Sequence, residues 1–213
     1  MNKYIKHTIF FVLSFFFFSC NSSDKKKKAE QESEKIVQKV QMYSIDTSGI
    51  SLKWTAYKFT EKLGVSGTFD RITFNEKNNS GTIETLLQDA EMTIPTALVN
   101  SANEIRDPKL RTYFFKVFNT DTIRGKILDA KQGKGALELN MNNLANDVEY
   151  TYSLKNDTLF LNAHFDLMQW NGDVALNSLN KECYELHTGT DGTSKLWPDV
   201  DVTIKFPIQK VSF

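Results

Sequence analysis

Cysteine is nearly absent from this chain: its 213 residues hold only Cys20 and Cys183. No disulfide framework can be built from that pair, so an apolar core must hold the domain together. Histidine is as scarce, with only His7, His164 and His187. Zinc normally takes three or four protein ligands at set spacing. Cys183 and His187, four apart, share a helix face, with Glu185 and His164 as candidate recruits, but Cys183 also fits an apolar stripe. No metal is expected from so thin a set. The Gly-x-Ser-x-Gly elbow, the His-Glu-x-x-His pair and the phosphate-cradling loop are all missing. Asp89 with Glu91, and Asp199 with Asp201, are i,i+2 carboxylates that mark the wet face of a strand. The reading is therefore of a non-enzyme with no catalytic residues and no cofactor. An excess of one charge is lacking too: 26 Lys and Arg balance 26 Asp and Glu. Without a basic stripe carrying interleaved aromatics, nucleic acid is not expected as a partner.

Long apolar runs are absent as well. Residues 9–18 are apolar apart from Ser14, follow Lys3 and Lys6, and stop at Ser19-Cys20. That is about half of what a membrane-spanning helix requires, and it is the three-part layout of a secretory signal. The small residue before a cysteine resembles a bacterial lipoprotein signal, in which the cysteine is acylated and becomes the first residue. On that resemblance residues 1–19 are a signal peptide and Cys20 is the lipid attachment site. The alternative is ordinary cleavage nearby, with Cys20 left as a free thiol. Acyl chains contribute about 0.8 kcal/mol per buried CH₂, so two or more would anchor the protein stably. Residues 20–40 then read as the lipidated cysteine and a polar tether, with Lys25-Lys26-Lys27-Lys28 followed by Glu30, Glu32 and Glu34.

What the chain does have is apolar material: 40% hydrophobic residues and 16 phenylalanines. One domain is expected over residues 41–213. Its dominant signal is period-two alternation, the mark of half-buried strands. Val148, Tyr150, Tyr152 and Leu154 alternate with polar residues, as do Leu159, Leu161, Ala163, Phe165 and Leu167, and a Lys155-Asn156-Asp157 turn joins them into a hairpin. Val200, Val202, Ile204 and Phe206 predict a further strand. Parity switches within residues 52–59 and 65–74, which predicts bulges or bends of the sort found at barrel corners. Residues 81–86, 90–94, 122–128 and 136–141 are further strand candidates. Asp107-Pro108 predicts a helix over 109–116. Ala175, Leu176, Leu179, Cys183 and Leu186 predict an amphipathic helix over 174–187, placed to lie across a barrel opening.

Three segments together resemble the YceI-like family of lipocalin-like antiparallel barrels. They are residues 51–74 with Lys62-Leu63-Gly64-Val65-Ser66-Gly67-Thr68-Phe69, the element Arg106-Asp107-Pro108-Lys109-Leu110-Arg111-Thr112-Tyr113-Phe114-Phe115, and the closing strand Asp199-Val200-Asp201-Val202-Thr203-Ile204-Lys205-Phe206. The chain departs from the family pattern in having Glu61-Lys62 where a histidine is common, and in a longer, helical 170–198 segment. The resemblance implies an all-β, lipocalin-like antiparallel barrel of about eight strands with one or two short helices. It also implies a hydrophobic or isoprenoid lipid as partner, held in an apolar tunnel.

Alternation places Tyr150, Tyr152, Leu161, Ala163, Phe165, Val202, Ile204 and Phe206 on the inner face. By themselves they fit a hydrocarbon-lined tunnel or a close-packed core equally well; the resemblance favours the tunnel. Arg106 and Arg111 could meet an acidic head group at its mouth, although an ion pair with a surface acid is the plainer role. The expectation is an envelope lipoprotein, on the periplasmic or surface face, that binds or carries an amphiphile with a long, polyisoprenoid-like tail. The alternative is a structural or interaction lipoprotein with a filled barrel. Whether it forms a homodimer is left open by the residues.

Overall fold

Period-two alternation becomes a single antiparallel sheet of eleven strands in a computed structural model that describes residues 40–212. The strands are β1 (Met42–Ile45), β2 (Ser51–Lys58), β3 (Leu63–Phe69), β4 (Thr73–Asn75), β5 (Glu91–Pro95), β6 (Val99–Asn100), β7 (Thr122–Lys131), β8 (Lys134–Met141), β9 (Leu144–Lys155), β10 (Thr158–Asp166) and β11 (Leu196–Val211). Their order is β4-β5-β7-β8-β9-β10-β11-β2-β3-β6, with β1 added against the end of β11.

The two ends of that path meet. β3 pairs with β6 while β4, next along the chain, pairs with β5, so residues 91–100 join both ends of the sheet into a barrel. Eleven strands replace the expected count of about eight because two long paths are broken. Residues 70–72 interrupt β3 and β4, and a 3₁₀ turn at Thr96–Leu98 interrupts β5 and β6. The parity switch between Phe69 and Phe74, both buried, is that first break.

Tight turns fix the register of the middle strands. Asn156 and Asp157 take φ of 47° and 55° between the paired Lys155 and Thr158. Gln132-Gly133 and Asn142-Asn143 also have positive φ at both positions. Two consecutive left-handed residues twist a hairpin the way its strands twist, and Asn, Asp and Gly adopt that conformation at least cost.

Helices seal the barrel's ends. Residues 81–86, expected as a strand, instead give α1 (Ile83–Leu87), and Gly81 makes only an isolated bridge to Tyr43. Thr82 caps α1 by accepting from the Thr85 amide. Leu86 and Leu87 are both fully buried; neighbouring residues in a strand would face opposite ways, and a helix plugging the barrel lets both face the core.

At the other end, α2 (Arg106–Lys109) runs into a π-helical turn, Leu110–Phe115. The helix starts earlier than expected because Asn103, not Asp107, caps it: Asn103 Oδ1 accepts from the amides of Ile105 and Arg106. Asp107 accepts instead from the amide and hydroxyl of Ser101. The expected helix over 174–187 is α3 (Asp173–Glu182), ending at Cys183 before a 3₁₀ turn at Glu185–His187. Trp170, fully buried before α3, donates from Nε1 to Leu139 O at 2.9 Å.

Candidate functional site: an apolar cavity

The core is in two parts. One cluster, at the α1 end, gathers Leu86, Leu87, Tyr150, Tyr152, Leu159 and Phe206; the other, under α3, gathers Phe114, Phe118, Phe165, Trp170 and Leu179. Leu110, Phe115, Ile123, Leu137, Ala163 and Val202 pack against both clusters yet are only partly buried. Inward residues that keep accessible surface must face empty space. Along β11 the inner face grades from half-buried Val200 and Val202 to buried Ile204 and Phe206.

That space is a cavity of about 210 Å³ with an almost wholly apolar wall. Small residues open it. Ala56, Gly125 and Ala163 stand where larger side chains would fill it, and a β-carbon on Gly125 would meet nothing nearer than 4.0 Å. Gly67 is different: a β-carbon there would sit 2.3 Å from the Trp54 ring, so its glycine lets that indole lie flat against the wall. Trp54 Nε1 donates to Thr68 O at 3.1 Å, which fixes the ring.

Of the inner-face residues expected from alternation, Leu161, Ala163, Phe165, Val202, Ile204 and Phe206 stand on the cavity wall. Tyr150 and Tyr152 do not line it. They share that face but are drawn off by their hydroxyls, which must find partners when buried. Tyr150 Oη donates to Asp129 O at 2.7 Å, across the space above Gly135, and Tyr152 Oη donates to Glu84 Oε1 at 2.8 Å. Both rings thus belong to the floor.

Alternation in β9 to β11 could not reveal the rest of the wall, which includes Trp54, Gly125, Leu139 and Leu179, nor Trp197 beyond the alternating stretch of β11. Leu137 and Leu139 carried the same period-two signal within residues 136–141. Leu176 and Leu179 place α3 over the cavity, where it packs against the helix of residues 106–115 and is tied to it by Lys109 Nζ to Glu182 Oε1 at 3.1 Å.

One seam of this barrel is irregular. Between Leu196 and Val200 β11 shifts register against Lys58 and Ala56 of β2. Tyr57 and Trp197 line the cavity there. Trp197 Nε1 donates to Phe59 O at 2.7 Å, and Tyr57 Oη donates to Asp201 Oδ2. His164, 58% exposed, lies between Asp201 and Asp199, with Nδ1 at 2.6 Å from Asp201 Oδ1. Asp201 is held below the usual carboxylate range, first by the Tyr57 hydroxyl and then by His164.

Cations gather at this helical end. Lys58 Nζ donates to Leu186 O at 2.8 Å. His187 is pushed down to about 4, first by burial and then by Lys58, Lys109 and Arg106. Burial raises the Cys183 thiol, with Glu182 adding to it; such a thiol is a poor nucleophile and a poor metal ligand. Among the described residues no group of three or more His, Cys, Asp and Glu side chains converges as metal ligands do. Arg106 makes no ion pair within 4.0 Å among the described residues, and nor does Arg111. Cys20, the expected lipid attachment site, lies outside the described residues.

Solved structures share this architecture at low identity. A polyisoprenoid binding domain from Saccharophagus degradans, implicated in plant cell wall breakdown, superposes with a TM-score of 0.54 at 12% identity, covering 80% of this chain and 98% of that one. BcnA of Burkholderia cenocepacia gives 0.51 at 11% identity, covering 78% and 99%. No curated protein matches. The YceI-like domain model matches residues 43–208, from β1 to the last turns of the closing strand. That span takes in every wall of the cavity, and the chain belongs to the YceI-like domain family.

Proposed function

We propose that this chain binds the apolar tail of a polyisoprenoid-like amphiphile inside the barrel, as a lipid-anchored protein of the bacterial envelope. The role is binding rather than catalysis. The observation that carries it is the void itself: about 210 Å³ bounded by aliphatic and aromatic side chains, in a fold whose neighbour in Saccharophagus degradans is described as a polyisoprenoid binding domain. Burying a tail there contributes about 25 cal/mol per Å² of apolar surface.

The size sets a limit. A void of about 210 Å³ holds a short stretch of chain rather than a whole polyisoprenoid. A longer tail must run out through the mouth or move α3. Acylation of Cys20 would keep the domain beside the membrane that supplies such a lipid, and the polar residues 21–39 would give it reach.

Native mass spectrometry of the protein purified under gentle conditions tests the binding. A co-purifying lipid, displaced by a neutral hydrophobic dye with matching stoichiometry, is the expected result. A protein that carries no lipid and takes up no dye would overturn the proposal.

A further inference from the structure

A tail held in the cavity leaves its head group where the wall meets solvent, and at the irregular seam between β2 and β11 the half-buried Trp197 stands on that wall. Trp197 is the hinge of this inference, which rests on the binding proposed above. Its half-buried indole lines the cavity and also carries two ammonium groups: Lys195 Nζ at 3.5 Å and Lys62 Nζ at 5.1 Å from the ring centroid.

We propose that the bound amphiphile has an anionic head group, a carboxylate or a phosphate, seated on Lys195 and Lys62 where the Trp197 ring passes from cavity to solvent. Lys62 already pairs with Asp199 at 3.0 Å, but Lys195 has no carboxylate within 4.0 Å among the described residues. The nearby acids already have partners: Asp191 accepts from the Thr60 hydroxyl at 2.8 Å and from the Thr193 amide, and Asp199 faces His164 as well as Lys62.

Backbone geometry brings the two lysines together. Lys62 is held at φ 58° and Phe59 at φ 64°, a conformation that non-glycine residues rarely take. The turn is pinned by Trp197 Nε1 on Phe59 O and by the Phe59 amide on Lys195 O. Strain kept at a ligand's doorway is a recurrent sign of a functional site. Lys58 and Arg106, close enough to depress His187, add positive potential at the same end.

Titration calorimetry on the delipidated full chain, with decanoate, decyl phosphate, decanol and inorganic phosphate as probes, tests this. Two partly exposed ion contacts should favour each anionic amphiphile over decanol by about tenfold. That preference should shrink as salt rises, vanish in Lys195→Gln with Lys62→Gln, and survive Lys195→Arg. Inorganic phosphate alone should bind far more weakly than decyl phosphate. Equal affinity for all three amphiphiles overturns the anionic head group while leaving tail binding intact. Free phosphate binding as tightly as decyl phosphate also overturns it, since the anion site would then be separate from the cavity. If none of the amphiphiles binds, the tail-binding reading itself has failed.

Discussion

Gly125 is the position at which the void can be filled from its own wall. It lies on the inner face of β7 between Ile123 and Ile127, opposite Met92 and Leu139. The nearest atoms to an added β-carbon would be Glu138 O and Leu139 Cδ1, both at 4.0 Å. Gly125→Leu adds four carbons. They enter space that the wall leaves open. Burying them is favourable by about 3 kcal/mol, and ordering the side chain costs about 0.5–1 kcal/mol. The variant should therefore gain about 2 kcal/mol, a rise of roughly 4–8 °C in Tm for a domain of this size. If the interior were solid, the same change would overpack it and cost about 1–3 kcal/mol. The sign of the change thus separates the two interiors. Thermal melts of delipidated protein, with neutral-dye uptake measured in parallel, provide the assay. A variant that melts lower and binds dye as well as the wild type would refute the cavity and the binding built on it.

Tyr150→Phe removes the hydrogen bond to Asp129 O and should cost about 1 kcal/mol. Because the ring belongs to the floor, dye affinity should stay within a factor of about two; a larger loss would put Tyr150 on the ligand. His187, pushed down to about 4 from its ordinary 6.5, sets a pH window. Between those values the unfolded chain takes up a proton that the folded chain does not, so stability falls as pH falls through the window. After allowance for the solvent-facing part of the ring, the loss should be about 1–2 kcal/mol. Urea melts from pH 7 to 4 should show that loss for the wild type and not for His187→Gln; parallel curves would refute the assignment. Cys20→Ala should move the protein from the membrane to the soluble envelope fraction on cell fractionation, and unchanged retention would count against the acyl anchor.

The legible parts of this fold are those where one face is buried and the other wet. β9, β10 and β11 announced themselves because each inward residue has a polar neighbour on either side. Legibility failed where burial stops alternating. Leu86 and Leu87 are adjacent and both buried, a pattern that no half-buried strand can give, and the plugging helix was missed for that reason. Asp107-Pro108 pointed to a helix, but a sequence cannot tell which of two nearby side chains will take the cap, and Asn103 took it. The two tyrosines failed differently. Alternation gives the face of a residue correctly, yet says nothing about where a long side chain leans, and a buried hydroxyl leans toward its acceptor. The cavity's opening was beyond reach altogether. It depends on small residues from separate strands, Ala56, Gly125 and Ala163, coming together on one cavity wall, and no local pattern encodes that coincidence.

That coincidence is costly, which makes it informative. A void with apolar walls forfeits the contacts its lining would otherwise make, at about 24 cal/mol per Å³ in a packed core. For about 210 Å³ this is on the order of 5 kcal/mol, as large as the whole stability of many domains. One leucine at Gly125 would recover a good part of it without touching the backbone. The barrel therefore forgoes stability that a single substitution supplies, while its two ends, at Leu86-Leu87 and at Trp170, are packed to full burial. A gap walled almost wholly by hydrocarbon is an arrangement in which an occupant's own apolar surface would supply the missing contacts.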